Sequence, residues 1–142
     1  MTPLPRPPEQ AGETETLLAF LDVQRAVVRW KLEDAPDEAL RTVATPSGMT
    51  LIGLVRHLTD VERWWFRHQW HGEDGVVFHS TEDDEDADFR VVPEHTAAVV
   101  LAEYAQECAR SDALVRAAAS LDEPGRRRPA SLRWVLVHMI EE

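Results

Sequence analysis

The sequence contains a single cysteine, Cys108. No internal disulfide can form and no cysteine-based zinc site can be assembled, a pattern that fits a reducing compartment. Long apolar runs are missing too, since none reaches the roughly 18 residues a membrane helix needs. Met1–Gly12 holds four prolines and no apolar stretch of the signal-peptide kind. Basic charge is scarce: 15 Lys plus Arg against 26 Asp plus Glu leaves −11. That excess disfavours nucleic acid and anionic membrane surfaces as partners. The basic turn Arg126–Arg128 is too short to reverse it. There is no Gly-rich phosphate loop, nucleophile elbow or Ser-His-Asp arrangement. No strand pattern and no internal repeat stands out.

What is present describes one acidic globular domain, expected in the cytoplasm. A chain of 142 residues suits a single domain and can bury roughly two-thirds of its unfolded surface. Apolar residues make up 44% and charged residues 29%, which is a folded rather than a disordered composition. Residues 1–12 read as a proline-rich leader and 13–142 as a helical bundle.

Hydrophobic periodicity predicts four helices. The first spans Glu13 to Asp34, with Leu17, Leu18, Leu21, Val28 and Leu32 inward and Arg25, Arg29, Lys31 and Glu33 outward. Residues 37–41 can add one short turn. Thr50 is a suitable cap for the second helix, Leu51 to Gln69. Its inward stripe is expected to run through Leu51, Leu54, Val55, Leu58, Val61, Glu62 and Trp65. Residues 70–92 then read as a long acidic loop. Pro93 opens the third helix, which is expected to run to Ser120. Ser131 caps the fourth, SLRWVLVHMIEE, whose stripe is Leu132, Val135, Leu136 and Met139. The expected fold is therefore all-α, a four-helix bundle with a long acidic loop between helices two and three. The fourth helix reaches Glu142 without a C-cap glycine or a final apolar turn, so the C-terminal end of the bundle is read as incomplete.

Two residues stand out on the flanks of apolar stripes. His57 lies beside the inward face of the second helix. It reads either as a histidine satisfied by a hydrogen bond or as a ligand. Glu142 lies on the flank of the fourth helix, one turn after His138. A carboxylate aimed at a core must be paired or metal-bound, whereas one at a frayed helix end is simply solvated; periodicity leaves both open. The run Glu82–Asp88 places six acids in seven positions. Asp84, Asp86 and Asp88 have the spacing of a calcium loop, but Phe89 and His95 stand where that loop needs Gly and Glu, so a solvated, self-repelling loop is expected. His68, His71, His79 and His95 read as surface residues, and Cys108 as a small core residue.

Three stretches carry a resemblance: SGMTLIGLVRHLTDVERWWF (47–66), DFR (88–90) and SLRWVLVHMIEE (131–142). Together the chain resembles the DinB-like four-helix-bundle superfamily, in particular its actinobacterial branch of mycothiol-dependent enzymes such as maleylpyruvate isomerase. The resemblance runs from about Leu17 to Glu142. It implies a divalent metal, zinc or nickel, with His57 and Glu142 as ligands. A third ligand is expected one turn beyond Glu142, His138 being a weak substitute. Such a site leaves an open position, where a bound thiol ionises at neutral pH. The resemblance thus implies a metal-dependent transferase that joins a small thiol of the mycothiol type to a small-molecule electrophile. The alternative is a non-enzymatic bundle of the same fold with a vestigial metal site, acting as a stress-related binding or dimerisation module. Trp64, Trp65, Trp70 and Trp134 offer more aromatic surface than one small bundle needs to hide, so a homodimer is expected.

Overall fold

The computed structural model describes residues 3–33, 35–43, 46, 48–91 and 93–141. Among the described residues every regular element is helical, apart from an isolated antiparallel bridge between Pro124 and Ser131. The α-helices are α1 (Glu13–Glu33), α2 (Asp37–Arg41), α3 (Leu51–Glu62), α4 (Ala97–Ala117) and α5 (Leu132–Glu141), and a π-helix, Arg63–Trp70, continues α3. No helix among the described residues is long and apolar enough to cross a membrane.

Local chemistry sets the boundaries. Thr50 Oγ1 accepts the Gly53 N–H at 2.9 Å and starts α3. The backbone stays helical through Arg63, so α3 and the π-helix form one rod. The rod closes in the wider π pattern, with the His71 N–H on the Phe66 carbonyl at 2.9 Å. Gly72, at φ +72°, ends it. The predicted loop start at Trp70 is therefore corrected: Trp70 belongs to the rod and is buried. The third predicted helix starts later than Pro93, because Thr96 Oγ1 accepts the Val99 N–H at 3.2 Å and caps α4 there. It ends at Ala117 because Ala118 turns extended. Ser131 Oγ accepts the Trp134 N–H at 3.2 Å at the head of α5, as its sequence suggested.

Two apolar clusters form the core. One joins α1, the π-helix and α5 through Leu18, Leu21, Phe66, Trp70, Leu136 and Met139. The other joins α1, α3 and α4 through Leu32, Ile52, Val55, Val100, Tyr104 and Cys108. The α5 stripe is buried as predicted, but the α3 stripe is rotated: Ile52, Val55, Thr59 and Glu62 are its most buried residues, whereas Leu54, Leu58, Val61 and Trp65 are only half-buried.

A further correction is Arg25, expected outside and in fact 1% exposed. Along α1 it falls between residues of the two clusters. Its guanidinium grips the Glu62 carboxylate with two bonds, Nε–Oε1 at 2.9 Å and Nη2–Oε2 at 3.0 Å. Nη1 also donates to Asp112 at 2.7 Å and to Asp22 at 3.0 Å. A buried charge is tolerated only when paired and hydrogen-bonded, and both members here meet that condition. Glu107, likewise buried, accepts from Arg67 Nη1 at 2.9 Å and Arg63 Nε at 3.3 Å.

Candidate functional site

The segment after the π-helix folds back over α3. Three residues spaced along α3 make this possible. Arg56 Nη1 donates to the carbonyls of Ala87 at 3.0 Å and Asp88 at 3.1 Å, and also to that of Arg90. The Asp60 carboxylate accepts the backbone N–H groups of His79 at 2.9 Å and Ser80 at 3.0 Å. Gly53 gives the room: a Cβ there would lie 2.7 Å from the Phe89 carbonyl oxygen. Arg56 and Asp60 are four apart and so face the same side.

That docking buries Asp88 to 3% exposure and brings its Oδ2 to 2.7 Å from His57 Nδ1. Asp88 is thus corrected from the solvated loop in which its neighbours Glu82, Asp83, Glu85 and Asp86 do remain. The Phe89 ring stacks on the His57 ring at 4.8 Å and 19°. All three residues of the DFR stretch are therefore engaged: one by its carboxylate, one by its ring, one by its carbonyl.

The pairing decides what His57 can do. A carboxylate accepts, so Nδ1 carries the proton and the lone pair of a neutral ring lies on Nε2. The His57 side chain is 40% exposed and lines a cavity of about 340 Å³ with Val61, Trp64, Trp65, Phe78 and Asp88. An imidazole held this way has the form of a metal ligand with its supporting carboxylate, or of a general base. The other Asp88 oxygen, Oδ1, is buried and has no hydrogen-bond partner among the described residues.

His138 is not among the residues that line this cavity. The His138 ring stacks on Trp134 at 5.0 Å and 6°, and lies 4.6 Å from the Trp65 ring. The Arg128 guanidinium covers both indoles, at 5.0 Å from Trp65 and 5.6 Å from Trp134. Trp65 thus links His138 to the cavity, where it forms part of the wall. Glu142 lies outside the described residues, so its predicted approach to His57 does too. Among the described residues no group of three His, Cys, Asp or Glu side chains could hold a metal ion. They fit one ligand position, His57, and not a complete site.

Three further residues complete the picture. His79 is no surface residue: its backbone is bonded to Asp60, and its Nε2 lies 2.5 Å from Glu103 Oε1. Burial holds the His68 ring below the usual histidine range, assisted by the charge of Arg127. Cys108 is buried as expected, with its thiol 3.8 Å from Glu62 Oε1. Burial first, and the Glu62 charge second, push this thiol well above the ordinary range, so it is no ready nucleophile.

A second hollow, about 920 Å³, shares Phe89 with the site and is flanked by Arg41, Met49 and Arg90, with no histidine among its described lining residues. Comparison with known proteins adds one match. The family model described as Mycothiol-S-transferase matches residues 16–142. No curated protein and no solved structure matches.

Proposed function

The chain belongs to the mycothiol-S-transferase family, and from that premise we propose that it joins the thiol of mycothiol to a small electrophile at the His57–Asp88 pair, with a divalent metal. The observation that carries this reading is the 2.7 Å contact that leaves Nε2 available at the floor of a cavity. A sealed Cys108 supports a thiol supplied from outside.

In the reaction the thiol gives up its proton, a sulfur–carbon bond forms, and the leaving group departs with its electron pair. Asp88 fixes the His57 tautomer and Phe89 fixes the ring plane. Trp64, Trp65 and Phe78 reduce the water around the reacting atoms. A zinc or nickel ion would be held by His57 Nε2 and Glu142, with His138 as the weaker substitute. When bound, such an ion supplies Lewis acidity that stabilises a thiolate at neutral pH. We extend the proposal to a DinB-like four-helix bundle that pairs as a homodimer, since Trp134 and Val137 leave α5 with an exposed apolar face.

The test incubates the full chain with mycothiol and an electrophile, detects the thioether by mass spectrometry, and measures bound metal after purification without chelator. Wild type should form conjugate and carry metal. His57→Ala should lose the metal and slow transfer by about 10²–10⁴-fold, the range for a lost acid–base or ligand group. Conjugate formed equally by His57→Ala would overturn the assignment.

A further inference from the structure

The segment that supplies Asp88 to the His57 cavity also lines the second hollow. Asp88 faces the first, whereas Asp86, Phe89, Arg90 and Val91 line the second. Phe89 is the partition between them, since its ring stacks on His57 at 4.8 Å and also lines the hollow. At about 920 Å³ the hollow lies at the upper end of ligand cavities, which run from roughly 300 to 1,000 Å³.

The described lining of the hollow mixes apolar surface, Met49 and Phe89, with hydrogen-bonding groups of both signs, Arg41, Asp86 and Arg90. The arginines bring no surplus of positive charge. Arg41 Nε donates to Asp37 at 3.1 Å, and Arg90 Nη1 donates to Asp84. With Asp86 added, two guanidiniums stand against three carboxylates. A phosphate or carboxylate ligand therefore gains little there. Asp86 and Arg90 are exposed, so water meets what remains of their hydrogen-bonding capacity. A hydroxyl both donates and accepts, and can take the place of that water. The lining thus suits a neutral, polyhydroxylated molecule whose ring faces lie on Phe89 and Met49.

Mycothiol has that chemistry. It is an N-acetylated cysteine joined by an amide to glucosamine, which is linked in turn to inositol, and it carries no net charge at neutral pH. Its thiol and its sugar are separated by a single cysteinyl residue, which spans roughly 3.3–3.6 Å of backbone beyond its side chain. The hollow and the His57 ring are separated by a single phenyl ring, centred 4.8 Å from His57. We infer that the hollow bounded by Arg41, Met49, Asp86, Phe89 and Arg90 holds the glucosaminyl-inositol head of the thiol substrate, and that the cysteinyl arm passes Phe89 to bring the sulfur to His57. The inference rests on the thiol-transfer reading and assigns the head group, not the sulfur, to this second hollow.

The experiment separates head-group binding from transfer. Titration calorimetry of the full chain with N-acetylglucosaminyl-inositol, which has no thiol, reads the hollow alone. Wild type should bind it with a Kd on the order of 1 mM or tighter. Asp86→Ala and Arg90→Ala, both at exposed side chains, should each weaken it about tenfold, the size of one hydrogen bond to a charged group. Val43→Trp, at an exposed lining position, should block it. No binding by wild type at about 10 mM overturns the inference, as does an affinity that none of the three variants changes. Transfer is then measured with mycothiol and with N-acetylcysteinamide, a thiol without the sugar. In Asp86→Ala and Arg90→Ala the KM for mycothiol should rise by the same factor with kcat held, while transfer from N-acetylcysteinamide should match wild type. Head-group binding without any conjugate supports the hollow and contradicts the transfer reading. Conjugate formed with the same KM for mycothiol in wild type and variants supports transfer and contradicts the assignment of the hollow.

Discussion

Glu62 and Asp88 are removed from water to nearly the same degree, at 2% and 3% exposure, yet their surroundings differ in every other respect. Glu62 has both oxygens held by one guanidinium, with Asp22 and Asp112 on the remaining Arg25 nitrogen. Arg25 and Glu62 line only a small cavity, about 140 Å³. Asp88 has one oxygen on a half-open imidazole and one with no partner among the described residues. A carboxylate matched on both oxygens fastens helices together. One left half-matched at a cavity floor keeps hydrogen-bonding capacity and charge in reserve, and unsatisfied buried groups of this kind persist where function needs them.

The comparison can be broken from either side. The largest effect is expected in the interior pair. Arg25→Ala strands Glu62 in the core and should destabilise the fold by about 3–5 kcal/mol, read by chemical denaturation, while rate per folded molecule holds. If the variant unfolds outright, Arg25→Met with Glu62→Leu, which removes both charges, should recover most of the loss. Next comes Gly53, the gate for the docked segment. Gly53→Ala places a methyl 2.7 Å from a backbone oxygen that cannot yield as a side-chain tip would. The strain, about 1–3 kcal/mol, outweighs the gain in helix propensity. Mycothiol transfer should fall with it, because Asp88 moves with the strand of loop that Gly53 admits. Smallest is Cys108→Ala, which removes the thiol beside Glu62. It should cost on the order of 1 kcal/mol and leave mycothiol transfer unchanged; a lost rate would make this thiol part of the chemistry.

The two sites also differ in how far the sequence reveals them. The helices were legible because leucines and valines recur at helical spacing, and caps such as Thr50 and Ser131 mark their starts. The rotated face of α3 was not, because it depends on a loop that covers Arg56 and Asp60, and a loop's docking leaves no periodic trace. Arg25 was misread because its partner lies 37 positions away. His57 was visible from its place on the flank of a stripe. Asp88 was hidden in plain sight, one acid in a run of acids; the signals for it were the apolar Phe89 that breaks the run and the glycine at position 53 of a helix. Trp65 and His138 each stand out in the sequence, but their contact depends on how α5 packs on the π-helix.

The most direct measurement is kcat/KM for mycothiol transfer in Asp88→Asn, taken beside its melting temperature. The Asn oxygen can still accept from Nδ1, so the ring stays near its place while the charge behind it is lost. The account predicts a fall of about 10–100-fold, the usual loss on removing the carboxylate behind a functional histidine, with little change in Tm. A variant as active as wild type, or one whose loss follows its unfolding, would contradict the claim that the half-matched carboxylate serves the reaction.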